Sequence, residues 1–232
     1  SGDKVGFTGK GSSTGDLTAG FKNNSVIFRK TEDNIQLYAG RKNVMLGYDA
    51  GFNLRYGDEN VFIGTEVGYR SVGDINLPTD LRPSYNTIVG NYSGRDNTIA
   101  QENIYMGYRC VETTTRKSQN KNIILGNYAL NDGNDNISIG HRSKAGKSKN
   151  TISIGHNSSN NCSNSIILGN GLSNVGNDSL IIGKNIINSG NDAYIIHPNA
   201  YEPSLTYTNT EDNHINLFGI LKGNRYLNEL EV

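Results

Sequence analysis

Tryptophan is absent from this chain and cysteine nearly so, with two in 232 residues. Apolar residues are scarce as well, at 34 %. A compact globule of this length would have too little to bury, whereas a thin, regular solenoid needs only a few apolar residues per turn. No stretch approaches the roughly 18 consecutive apolar residues of a membrane span, so this fragment is expected to insert into no membrane. An excess of charge is also missing, because 22 Lys and Arg balance 22 Asp and Glu. Nothing in the net field would draw the molecule to nucleic acid or to an anionic surface. The opening Ser1-Gly2-Asp3 has no initiating Met and reads as a tag scar on an excised fragment, from which a targeting sequence could have been removed.

What is abundant is glycine, 28 residues, and asparagine, about 34. That composition calls for a search for internal periods, and one emerges when segments are aligned on a glycine. Asn43-Val44-Met45-Leu46-Gly47, Asn60-Val61-Phe62-Ile63-Gly64, Asn86-Thr87-Ile88-Val89-Gly90 and Asn103-Ile104-Tyr105-Met106-Gly107 superpose. So do Asn122-Ile123-Ile124-Leu125-Gly126, Asn136-Ile137-Ser138-Ile139-Gly140, Thr151-Ile152-Ser153-Ile154-Gly155, Ser165-Ile166-Ile167-Leu168-Gly169 and Ser179-Leu180-Ile181-Ile182-Gly183. From Gly126 onward the glycines recur about every 14 residues, and Tyr194-Ile195-Ile196-His197 continues the series without one.

Each unit offers a short strand, then a glycine able to take the positive φ of a tight turn. Repetition of that unit predicts an all-β fold, a parallel β-roll or β-helix solenoid with coils of about 14 residues. The residue before the glycine and the one two earlier (Leu46 and Val44, Ile63 and Val61, and so on) are expected to fill the inside. Three residues after the glycine stand Ala50, Val67, Ser93, Cys110, Ala129, Ser143, Ser158, Leu172 and Ile186, mostly small or apolar, expected to face inward from the second side. The middle strand position is then expected to point outward. It holds Met45, Phe62, Ile88, Tyr105, Ile124, Ser138, Ser153, Ile167, Ile181 and Ile195. Apolar residues on both faces of a strand mean that both faces are covered. The expectation is a self-association interface made by Met45, Phe62, Ile88, Tyr105, Ile124, Ile167, Ile181 and Ile195.

The string Asn150 to Ser158, and its relatives at Asn164 to Gly169 and Asn122 to Ala129, resembles the head repeats of trimeric autotransporter adhesins. Earlier units such as Asn60 to Tyr69 are similar to the Gly-Tyr-rich repeats in fibres of phages and large DNA viruses. The resemblance spans about residues 43–197. It implies a left-handed roll, a homotrimer, and display on a virion or bacterial cell surface, outside the cell. Spacings of 26 residues (Gly64 to Gly90) and 19 (Gly107 to Gly126) break the period, so loops are expected at 72–85 and 112–121. Segments 1–42 and 198–232 read as capping or connecting pieces, and the last six residues could open a coiled-coil stalk.

Candidate chemistry is sparse. Cys110 and Cys162 lie about three coils apart, some 14 Å at the usual strand spacing, too far for a bridge; neither has zinc-site spacing. His141 and His156 both follow a turn glycine and should stack on adjacent coils, two exposed polar residues before they are metal ligands. Asp49 and Glu66 occupy equivalent positions on adjacent coils, so a carboxylate pair of a glycan-cleaving depolymerase is the alternative to a solvated face. No nucleophile motif, phosphate loop or calcium-binding nonapeptide is present, and no metal or cofactor is expected. Asn-x-Ser sequons at Asn23, Asn91, Asn136, Asn157, Asn161 and Asn177 are what an Asn- and Ser-rich repeat yields by accident.

Projecting loops are the expected binding surfaces on a rigid scaffold. Arg82 and Tyr85 in one, and Arg116 and Lys117 in the other, are the receptor-binding candidates. The expected function is therefore a non-enzymatic structural and attachment segment of a trimeric surface fibre, contacting a host-surface receptor or glycan.

Overall fold

The computed structural model describes residues 42–54, 56–71, 82–96, 100–111, 120–146, 149–197 and 206–217, together with the backbone of 17–22 and 25–30. Every regular element among them is a strand. The chain is an all-β parallel solenoid of about nine turns with a spacing near 15 residues, and it divides into two compact units, Ser1–Tyr128 and Ala129–Val232.

The first unit opens with β1 (Leu17–Lys22) and β2 (Ser25–Lys30), an antiparallel pair. From β2 onward the pairing is parallel, through β3 (Val44–Leu46), β4 (Val61–Ile63), β5 (Thr87–Val89), β6 (Ile104–Met106) and β7 (Ile123–Leu125). Equivalent letters stack in register, Met45 on Phe62, Phe62 on Ile88, Ile88 on Tyr105 and Tyr105 on Ile124.

The second unit has two walls. One holds β9 (Ile137–Ile139), β11 (Ile152–Ile154), β13 (Ile166–Asn170), β15 (Leu180–Lys184), β17 (Tyr194–His197) and β19 (Ile215–Asn216), all parallel. The other holds β8 (Leu130–Asn131), β10 (Lys144–Ala145), β12 (Ser159–Asn160), β14 (Ser173–Asn174), β16 (Ile186–Asn188) and β18 (Tyr207–Asn209), also parallel. The stacking thus continues past residue 197 into the segment read from sequence as a C-terminal cap.

The recurrent glycine has φ between +123° and +150° at all nine positions. A Cβ at Gly155 would strike the carbonyl oxygen of Gly169 on the next coil, so close backbone stacking as well as torsion demands glycine there. Two residues later each coil has a left-handed residue that is usually not glycine, among them Glu66 (φ 49), Tyr92 (φ 60) and Arg109 (φ 49). Side chains resist that conformation. It is held by inter-coil backbone bonds at the same positions: Glu66 N donates to Tyr48 O at 2.7 Å, Tyr92 N to Thr65 O at 2.8 Å, and Arg109 N to Asn91 O at 2.9 Å.

Which face of the strand turns inward is the opposite of the sequence expectation. Met45, Phe62, Ile88, Tyr105, Ile124, Ile167, Ile181 and Ile195, assigned above to an interface between copies, are all buried inside a single chain. The flanking residues assigned to the interior, including Val44, Leu46, Ile104 and Met106, are exposed. The reason lies in the asparagine at the strand's start. Strand parity places residues two apart on the same side, so the Asn43, Asn60, Asn86, Asn103 and Asn122 side chains share a face with the middle residue. All five asparagines are fully buried or nearly so. Each amide serves the corner: Asn43 Nδ2 donates to Gly57 O at 2.8 Å, and Asn43 Oδ1 accepts from Asn60 N at 2.9 Å and Asn60 Nδ2 at 3.0 Å. Without these amides the corner's backbone groups would be buried unpaired.

The expectation for the second side holds. Ala50, Val67, Ser93, Cys110, Ala129, Ser143, Ser158, Leu172 and Ile186 are all buried. A second asparagine ladder runs inside the other wall of unit two, with Asn174 Nδ2 donating to Asn160 Oδ1 (3.0 Å), Asn188 Nδ2 to Asn174 Oδ1 (2.8 Å) and Asn209 Nδ2 to Asn188 Oδ1 (2.7 Å). Where the middle column holds Ser138 and Ser153, the interior is polar, and Ser143 Oγ donates to Ser153 O at 2.8 Å.

Candidate functional site

Because one residue per strand suffices for the core, the two flanking it on each strand point outward, some exposed and most half-buried. In the first unit these are Val44 and Leu46, Val61 and Ile63, Thr87 and Val89, Ile104 and Met106, and Ile123 and Leu125. In the second they are Ile137 and Ile139, Ile152 and Ile154, Ile166 and Leu168, Leu180 and Ile182, and Tyr194 and Ile196. Nineteen of these twenty positions are apolar, the exception being Thr87. Leu46 is 48 % exposed and Met106 46 %. With strands about 4.8 Å apart, five stacked pairs form an apolar patch of a few hundred Å² in each unit, the size at which an exposed patch marks a binding surface. The opposite wall of unit two differs: Lys144, Ser159 and Ser173 face outward there, with Ile187 as an exposed aliphatic.

The corner after the glycine carries the aromatic and charged residues of the first unit. Phe52 and Tyr69 stack with ring centroids 5.0 Å apart, and the Arg95 guanidinium lies 5.4 Å from the Tyr69 centroid. Arg95 Nε donates to Glu66 Oε2 at 2.6 Å, and chiefly this bond raises the Arg95 pKa above its ordinary value. Arg70 pairs with Asp96 at 2.9 Å. Farther along, Tyr92, Tyr108 and Tyr128 meet edge to face on successive coils, at 6.2 and 5.4 Å. The Arg109 guanidinium lies 5.5 Å from the Tyr92 centroid and 5.4 Å from that of Tyr108.

Asp49 and Glu66 do lie on adjacent coils, but Asp49 is buried and Glu66 is engaged by Arg95, so the two do not form an open pair facing a substrate. His141 and His156 stack as expected, with centroids 5.2 Å apart and planes at 14°. Among the described residues no three His, Cys, Asp or Glu side chains gather where a metal could sit. Both cysteines are free and buried. Burial pushes the Cys110 thiol up to about 11, against a smaller opposing effect of its contact with Ser93 Oγ at 3.1 Å. Burial likewise raises Cys162.

Of the receptor-contact candidates, Arg116 and Lys117 fall outside the described residues. Arg82 and Tyr85 belong to the stacked coil rather than to a projecting loop. Gln101 Nε2 donates to Arg82 O at 2.7 Å, Tyr85 N donates to Asp58 O at 3.0 Å, and Ser84 bridges to Gln101 in parallel. The Arg82 guanidinium sits 5.7 Å from the Tyr56 ring centroid, while Tyr85 is 57 % exposed. Sequence reasoning missed the Tyr92–Tyr108–Tyr128 contacts. Their signal was present: an aromatic one or two residues after three glycines in succession, Gly90, Gly107 and Gly126.

No family model matches the chain, and no curated protein or solved structure matches it.

Proposed function

We propose that this chain is a rigid structural and attachment segment of a multi-copy surface fibre. Copies assemble side by side through the aliphatic outer faces of the strands that precede the glycines. The observation that carries the reading is the flanking pair of columns. They stay apolar at nineteen of twenty positions although the core is already complete without them. A solvated sheet face would alternate in the usual way and carry polar residues there.

Three copies about one axis, with coils running parallel and left-handed, is the arrangement favoured by the resemblance of Asn150 to Ser158 to trimeric adhesin heads. The same resemblance favours an extracellular place on a virion or bacterial surface, with Tyr85 and the turn corner turned toward a host receptor. The glycan-cleaving alternative has less support, since Glu66 is held in an ion pair.

Sedimentation of the wild type is expected to give an oligomer at micromolar concentration. Leu46→Asp combined with Leu168→Asp is expected to yield monomer with unchanged β-sheet circular dichroism. A wild type that sediments as a monomer at high concentration, or a double variant that remains fully assembled, refutes the interface.

A further inference from the structure

Tyr108 and Tyr128 stand on successive coils with ring centroids 5.4 Å apart and planes at 86°. They are 37 % and 38 % exposed, and Tyr128 N donates to Tyr108 O at 2.9 Å, which ties the two backbones together. Two phenols are thus held beside each other on a surface open to solvent. Exposed side chains flip rotamers in picoseconds to nanoseconds, so rings this close can reorient toward each other without any backbone movement. Two competitors for a one-electron oxidant other than tyrosine itself are removed: the chain has no Trp, and both thiols are buried, with the Cys110 thiol pushed up to about 11 and so kept from its nucleophilic, easily oxidised form.

We propose that Tyr108 and Tyr128 form an oxidative cross-linking site, a covalent staple between adjacent coils of the first unit. The co-reactant is hydrogen peroxide, acting through a haem peroxidase. Each phenol gives up one electron and its O–H proton to become a phenoxyl radical, and the two radicals join through their ortho carbons. Loss of the two ortho hydrogens from carbon, with return of protons to the oxygens, restores both aromatic rings. In balance, two C–H bonds break and one C–C bond forms, and the two electrons and two protons convert one peroxide to two waters. This pairing is favoured over Tyr92 with Tyr108 because its rings are closer, with centroids 5.4 Å apart against 6.2 Å. In a fold with no disulfide among its described cysteines, such a link supplies the inter-coil bond that a disulfide supplies elsewhere.

The proposal does not depend on the fibre reading. The intact chain at low concentration is treated with peroxidase and peroxide, then digested with trypsin. Expected are dityrosine fluorescence, a denaturing-gel mobility that stays that of a single chain, and peptide 96–109 joined to peptide 122–142 with the loss of two hydrogens. Tyr128→Phe and, separately, Tyr108→Phe should each reduce that joined pair to background, while Tyr85→Phe leaves it unchanged. Predominant joining between two chains through Tyr85 overturns the proposal. So does the same pattern of joined peptides from chain unfolded in urea, because the coil geometry would then play no part.

Discussion

Replacing Asn60 with leucine removes a buried amide while keeping the number and branching of the side-chain heavy atoms, so its effect reports chiefly on the polar interior. Asn60 Nδ2 donates to Pro83 O at 2.8 Å and to Asn43 Oδ1 at 3.0 Å, and Asn60 Oδ1 accepts from Asn86 N at 3.1 Å and Asn86 Nδ2 at 3.0 Å. Two partners survive the change: Asn43 Oδ1 keeps the Asn60 N–H at 2.9 Å, and Asn86 Nδ2 keeps Ala100 O at 2.7 Å. The losses that matter are therefore the Pro83 carbonyl and the Asn86 N–H, both deprived of the partner they have in the fold. An unsatisfied buried group costs about 1–3 kcal/mol, which places Asn60→Leu at about 2–6 kcal/mol. Urea unfolding followed by circular dichroism measures the total, and hydrogen exchange should show faster exchange at Asn86 than at the equivalent amides of distant coils. If the position were outward-facing, leucine would be neutral or would promote association. A loss below about 0.5 kcal/mol, the ordinary range of surface changes, refutes the inward assignment.

Phe62→Ala should cost about 3–5 kcal/mol whatever the state of assembly, since the ring is fully buried in a single chain; equal stability in a thermal melt would count against that packing. Gly155→Ala is expected to lower the melting temperature more than a typical core truncation, because the added methyl meets the Gly169 carbonyl and φ is +149°; a neutral result refutes the close stacking. Cys110, with its thiol pushed up to about 11, should resist alkylation at pH 8 in the fold and react readily once unfolded. A thiol raised in the fold above its unfolded value near 8.5 contributes stability that is fully present below pH about 8.5 and lost as pH rises toward 11. Stability should therefore fall over that interval in the wild type and less so in Cys110→Ala, and parallel curves would refute the assignment.

The repeat, the parallel stacking, the register and the glycine corners are determined by the sequence alone. A strand of three residues closed by glycine, renewed about every 15, can satisfy its backbone only by pairing with its own copies above and below. The inward column three residues after the glycine was equally legible, because small and apolar residues recur there. The direction of each strand was not. Period-two alternation is symmetric, and with Val44, Met45 and Leu46 all apolar, hydrophobicity alone cannot say which side is the core. The tertiary structure decided it through the buried polar residue. Asn43 and its equivalents must point in to pair the backbone of the corner, and parity then carries Met45, Phe62 and their column inside and leaves Leu46 and Ile63 outside. The Tyr108–Tyr128 contact was hidden for a similar reason. Twenty positions apart in the chain, the two rings become neighbours only when one coil lies on the next.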